Sequence, residues 1–329
     1  MSTASPILRI CVLGFAISIT ALTLPTTAAP PAAVPRIGVL LPQALASPAE
    51  VDLRSAFGEL GYVEGQNVVI TWRRIGDSVD DARPYAAEFV RSREDLILVL
   101  TTSAARAAMA LTNTTPIVFV AGDPVTTGLV KSLAKPGGNA TGVSVVSPAM
   151  TAKRLDLLHQ LLPHARRIAF LRNPSNANVA LQFAEAQKAA AQFGMRLETF
   201  DARDGPEMDV AMRAIRRSTP DAILVASDLG LLTQSEKIAS SIHKAKIPAV
   251  FPWREYHQHG ALMSYGPNLK DTMRRAAAYV VKVLNGAKPA DLPVEEVSKY
   301  DLVVDLRIAQ ELKIQVPQEI LFRADEVIR

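Results

Sequence analysis

Four polar clusters, each directly after an apolar run, are the parts of this 329-residue sequence whose residue types could do chemistry. Thr101-Thr102-Ser103 follows residues 95–100 (DLILVL) and leads into an alanine-rich segment. Asp123 follows residues 118–121 in Gly122-Asp123-Pro124, and Asp228 follows residues 221–227 (DAILVAS) in the same way. Asn173-Pro174-Ser175-Asn176 follows residues 167–172 (RIAFLR). Hydroxyls at the start of a helix, with the orphan N–H groups and the dipole of its first turn, favour an anion. A carboxylate at a strand end can face an ammonium group in a charge-assisted hydrogen bond. Together these residues describe an amino-acid clamp. The ligand carboxylate rests on the Thr102/Ser103 helix end and its ammonium on Asp123, while Asn173, Asn176 and Asp228 arrive from a second domain. Each group also has a local role open to it. Thr102 or Ser103 can cap its own helix, Asp123 can cap the turn that follows, and the asparagines can form Asx turns. Tyr265, Trp253 and Tyr256 offer either an apolar wall or packing at a hinge and core. On the clamp reading Asp123→Ala weakens binding by about 1.5–3 kcal/mol.

Catalysis finds no support. The chain has no GxGxxG, GxxxxGK[ST] or GxSxG, and Gly142-Val143-Ser144 lacks the closing glycine of the last. His257-Gln258-His259 could suggest a metal site but reads as a polar turn; His159, His164 and His243 fall on helix faces or ends. The one cysteine, Cys11, lies near the amino terminus. No cofactor, metal or thiol chemistry is expected.

The elements that must position these clusters alternate. Hydrophobic residues make up 49% of the chain and aromatics only 5%, so its cores are built from Ala, Val, Leu and Ile, which favours α/β layers. Strands at 36–41, 67–75, 95–100 and 116–121 alternate with helices at 49–60, 80–93 and 101–111, and a short helix is expected after Asp123. After Ser144 the pattern restarts, with a helix at 151–162 carrying Lys153 and Arg154 on its polar side. The two halves are alike in layout, so the fold class is α/β with two similar parallel-sheet, Rossmann-like domains, and ligands in such sheets sit outside the carboxyl ends of the strands. The net charge of +4 is dispersed in pairs such as Arg166-Arg167, without the clustered patch that nucleic-acid binding needs.

The string Gly122-Asp123-Pro124-Val125, Gly128-Leu129-Val130, Ser132-Leu133, Pro136-Gly137-Gly138-Asn139 and Thr141-Gly142-Val143-Ser144 resembles the TrpX-like family of bacterial ABC-transporter substrate-binding proteins. Further matches occur in order at Gly61-Tyr62-Val63-Glu64-Gly65-Gln66-Asn67, Lys153-Arg154-Leu155, Asn173-Pro174-Ser175-Asn176, Trp253-Arg254-Glu255, Ser264-Tyr265-Gly266 and Ala324-Asp325-Glu326-Val327-Ile328. The resemblance covers nearly everything after about Arg36. It implies a type I periplasmic-binding-protein fold whose domains are joined by a multi-strand hinge of three crossings, with one lobe at 36–145 plus 267–300 and the other at 146–266 plus 301–329. It also implies a transport role: a monomer that closes on a small-molecule ligand and docks on an ABC permease in the inner membrane. Some relatives bind aromatic amino acids. The alternative is a stand-alone periplasmic sensor feeding a membrane receptor. A repressor's ligand-sensing domain has the same architecture but would carry a DNA-binding helix-turn-helix at its start.

This chain starts differently. Arg9 precedes an apolar run from Ile10 to about Leu24 and then Thr26-Thr27-Ala28-Ala29, the layout of a secretory signal peptide. Residues 1–29 are read as that signal and 30–35 as a proline-alanine linker. Cys11 lacks the small residues that lipid attachment requires before it, so the expected product is a periplasmic protein that is not a lipoprotein.

Overall fold

The computed structural model describes Met1 and residues 34–43, 46–76, 78–146, 148–176, 178–203 and 205–329. The expected signal peptide, its cleavage site and Cys11 lie outside the described residues. No helix among them is long and apolar enough to cross a membrane.

The first part of the chain runs β1 (Arg36–Pro42), α1 (Ala46–Glu59), β2 (Val69–Ile75), α2 (Val79–Arg91), β3 (Leu96–Val99), α3 (Thr102–Met109), β4 (Ile117–Gly122) and β5 (Ala140–Val146). The second runs α4 (Pro148–Leu161), β6 (Arg167–Arg172), α5 (Asn178–Gln192), β7 (Arg196–Asp201), α6 (Gly205–Ser218), β8 (Ala222–Val225), α7 (Leu229–Thr233), α8 (Ser235–Lys244), β9 (Ala249–Phe251) and β10 (Met263–Pro267). The chain closes with α9 (Leu269–Leu284), β11 (Glu295–Glu296), β12 (Tyr300–Asp305), α10 (Leu306–Glu311), α11 (Gln318–Arg323) and β13 (Glu326–Ile328).

Two sheets result, in the orders β11-β5-β4-β3-β1-β2 and β13-β12-β10-β9-β8-β6-β7. The first is parallel throughout; in the second only β10–β12 is antiparallel. The chain passes between the sheets three times, after β5, after β10 and after β11. This is the type I periplasmic-binding-protein fold.

β3 shows why these runs become strands covered on both faces. Leu96 and Leu98 enter one hydrophobic core while Ile97 and Val99 enter another, because successive side chains point to opposite faces. Two motif glycines are explained by close approach. A Cβ at Gly142 would run into the Phe119 backbone on the neighbouring strand, and one at Gly266 into the Pro252 carbonyl.

Three local expectations are corrected. Between β4 and β5 there is no helix; the chain makes a series of turns held by bonds such as Thr127 N–H to Asp123 O at 3.0 Å. The histidine segment is a 3-10 turn (Arg254–His259) whose His257 is buried. Arg154, expected on the polar side of its helix, is only 1% exposed, because it faces the second sheet, where its guanidinium meets the Tyr265 carbonyl of β10.

Candidate ligand-binding site

Both sheets send the carboxyl ends of their strands to one cavity of about 110 Å³. From the first sheet come Leu100 to Ser103 after β3, Val120 to Gly122 at the end of β4, Val145 on β5, and Arg106 from α3. From the second come Asn173, Ser175 and Asn176 after β6, Asn178 on α5, Ser227 to Gly230 after β8, and Trp253.

The first wall is the start of α3. Thr101, not Thr102 or Ser103, caps the helix: its Oγ1 accepts the Ala104 N–H at 3.0 Å and lies 3.0 Å from the Ser103 hydroxyl. The amides of Thr102 and Ser103 therefore remain among the orphan donors of the first turn. One turn on, Arg106 also lines the cavity while its Nη2 donates to the Thr127 carbonyl at 2.8 Å.

The second wall centres on Asp228, which is 4% exposed and caps α7. Its Oδ1 accepts from Leu231 N at 2.8 Å and Asn173 Nδ2 at 3.3 Å; its Oδ2 accepts from Asn176 Nδ2 at 2.6 Å. All these donors are neutral. Burial raises the carboxyl above its ordinary range, and the hydrogen bonds from Asn176, Leu231 and Asn173 only partly offset that. The asparagines also close their own turns, Asn173 Oδ1 accepting Ser175 N–H at 3.0 Å and Asn176 Oδ1 accepting Asn178 N–H at 2.9 Å. The Asx turns weighed for them from sequence are formed, and their amides go to Asp228.

Across the cavity Asn178 Nδ2 donates to Thr102 Oγ1 at 3.2 Å, a hydrogen bond between the lobes; the other end of that amide, Oδ1, is buried without a partner. Among the described residues no group of three His, Cys, Asp or Glu is placed to hold a metal.

Of the residues singled out from sequence, Thr102, Ser103, Asn173, Asn176 and Asp228 come together here. Asp123 does not line the cavity. Its backbone takes a left-handed φ of 31°, and its carboxylate accepts the Thr126 N–H at 3.1 Å as a turn cap. Tyr265 also lies elsewhere, on β10 beside Tyr300 with ring centroids 5.8 Å apart, where the chain leaves the second sheet. Of the three aromatics only Trp253 reaches the cavity, while Tyr256 stacks on Phe251 at 4.7 Å. Sequence reading missed Arg106, Asn178 and Ser227. Arg106 is four residues beyond Thr102, hence on the same helix face, and Asn178 and Ser227 adjoin residues already chosen.

Comparison with known proteins agrees with this fold. The chain is 28% identical over 262 residues to a tyrosine-binding protein of Clostridioides difficile, covering 79% of this chain and 75% of that one. An ABC domain from Streptococcus pneumoniae solved with L-Trp superposes with a TM-score of 0.82 at 29% identity, covering 89% of this chain and 99% of the other. The ligand-free, open form of CD0873, a substrate-binding protein with adhesive properties from Clostridium difficile, gives 0.64 at 25% identity over 90% of this chain and 99% of its own. Relatives so named are binding proteins rather than enzymes. The sequence profile of the ABC transporter substrate binding proteins matches residues 49–328, and the chain belongs to that family.

Proposed function

We propose that this protein is the periplasmic solute-binding component of an ABC importer, and that it closes its two lobes around a free amino acid, with an aromatic side chain favoured. The observation that carries the proposal is Asp228, a buried carboxylate held only by neutral donors, sharing one cavity with the first-turn amides of α3. In this reading the ligand ammonium supplies the cation that Asp228 lacks. The ligand carboxylate takes the Thr102 and Ser103 amides, with Arg106 beside them, and the side chain lies on Leu100, Val120, Val145 and Trp253. Asn173 and Asn176 hold Asp228 in place. The relatives named for tyrosine and solved with L-Trp support the ligand class.

The lobes in this reading are 36–145 with 267–300 and 146–266 with 301–329, turning about the three crossings. Tyr265 and Tyr300 stiffen the hinge rather than touch the ligand. Residues 1–29 direct export, no lipid is attached, and the mature monomer delivers its ligand to an inner-membrane permease. The Asn178–Thr102 contact and the closer match to the L-Trp complex than to an open form favour lobes drawn together in the structure described.

Mass spectrometry of the small molecule that co-purifies with the mature protein, followed by calorimetry with a full panel of amino acids, tests the ligand class. The expected result is heat with L-tyrosine or L-tryptophan. Heat with none of the panel, together with a co-purified compound lacking an ammonium group, overturns it.

A further inference from the structure

Arg154 is a buried cation, and among the described residues it has no carboxylate partner. Its Nη1 donates to the Tyr265 carbonyl at 3.4 Å and its Nη2 to Thr151 Oγ1 at 2.9 Å. Desolvation pulls its pKa down only to about 10, so the guanidinium stays charged at neutral pH. Burying a charge without a counter-ion is costly. A chain of hydrogen bonds runs from Arg154 to the cavity.

Thr151 Oγ1 donates to Gln182 Oε1 at 3.3 Å. The Gln182 amide then grips one residue at both ends: its Oε1 accepts the Ser227 N–H at 2.8 Å and its Nε2 donates to the Ser227 carbonyl at 2.9 Å. Thr151 and Gln182 are 0% exposed and Ser227 5%. Ser227 lines the cavity and precedes Asp228. A guanidinium can only donate. Thr151 must therefore accept from Arg154 and pass its own proton to Gln182 Oε1. The Ser227 N–H and carbonyl fix which end of the Gln182 amide faces which group, since the flipped amide would set donor against donor and acceptor against acceptor, and the Thr151 proton adds a second bond to the same Oε1. At the other end Arg154 sets the direction of the Thr151 hydroxyl, which must accept from it.

We propose that Gln182 is the positioning residue of the ligand site, holding the Ser227 peptide so that the Asp228 carboxylate faces the cavity, and that Thr151, its hydroxyl directed by Arg154, braces the Gln182 amide in that place. The proposal rests on the reading of Asp228 as the partner of a ligand ammonium group.

The test uses calorimetry with L-tyrosine and L-tryptophan on the mature protein. Gln182→Leu leaves both Ser227 groups unmet and should weaken binding by about tenfold or more. Gln182→Glu is the discriminating variant. Protonated, its side chain has one O–H donor and one carbonyl acceptor and reproduces both bonds; ionised, it cannot donate. Measured against wild type at the same pH, Gln182→Glu should bind within about threefold at pH 5, an acid-form rescue that a merely space-filling role does not predict. Thr151→Val should weaken binding several-fold and Thr151→Ser should restore it. Wild-type affinity in Gln182→Leu, or Gln182→Glu as weak at pH 5 as Gln182→Leu, overturns the proposal. If the wild-type protein binds no amino acid, the ligand reading fails first and amide hydrogen exchange judges the positioning by itself. Faster exchange at Ser227–Leu231 in Gln182→Leu, with the rest of the lobe unchanged, supports it; unchanged exchange there overturns it.

Discussion

Replacing Asp228 by asparagine separates ligand recognition from folding, because the two should move in opposite directions. In this structure the carboxylate is 4% exposed and bonded only to neutral groups, so its raised pKa reports a charge that burial disfavours. The sign follows from linkage. A carboxyl whose folded pKa lies above its unfolded value contributes stability below the unfolded pKa and loses it as pH rises through the folded one. Asp228→Asn removes that loss at neutral pH. Its Oδ1 can still accept the Leu231 N–H, and the added amide meets the Asn176 amide, a local cost of about 1 kcal/mol. The melting temperature of the empty protein should therefore stay level or rise. Ligand binding should suffer instead: truncating one partner of a buried, hydrogen-bonded charge pair costs about 2–4 kcal/mol, roughly 30- to 1,000-fold in Kd. Calorimetry at pH 7.5 reads the affinity and a thermal melt the stability. Wild-type affinity should also fall as pH is lowered through the raised pKa of Asp228, since the ligand must then displace a proton, and this dependence should vanish in Asp228→Asn. Asp123→Ala should cost only a turn cap, about 1 kcal/mol of stability, and leave affinity unchanged, against what the sequence favoured. If Asp228→Asn binds within about threefold of wild type, or Asp123→Ala binds worse than Asp228→Asn, the assignment of the cavity's charge is wrong.

Asn178→Ala removes the hydrogen bond to Thr102 that exists only when the lobes meet; Kd for L-tyrosine should rise about two- to tenfold with no change in the melting temperature, and a changed melt with unchanged Kd would contradict the latch role. His257 is pushed from its ordinary 6.5 down to about 4 by burial, while its Nε2 sits 3.0 Å from Ser264 Oγ. A histidine that folds neutral loses stability as pH falls below 6.5, about 3 kcal/mol in all by pH 4. His257→Asn should flatten the acid side of the stability curve measured by urea titration between those limits; an unchanged slope would show that the ring is protonated in place.

The alternation of apolar runs with amphipathic segments was enough to read two parallel-sheet halves, because a strand buried on both faces must be apolar almost throughout. The position of the site followed from the same pattern: the polar residues at strand ends are the ones that reach the crevice, and Thr102, Ser103, Asn173, Asn176 and Asp228 all do. What local sequence could not decide was which of two similar carboxylates faces inward. Asp123 and Asp228 both follow an apolar strand and both accept the N–H three residues on, from Thr126 and Leu231; the difference is that Asp228 also meets the Asn173 and Asn176 amides, brought to it from the end of β6, and lines the cavity. Arg154 shows the same limit. A lone helix presents arginine to water, and only the packing of α4 onto the second sheet brings the Tyr265 carbonyl of β10 to it beside Thr151. Periodicity fixes which face of an element is apolar. Which polar groups meet one another, across helices or across the cleft between lobes, depends on contacts between residues far apart in the chain, and those exist only once the whole is folded.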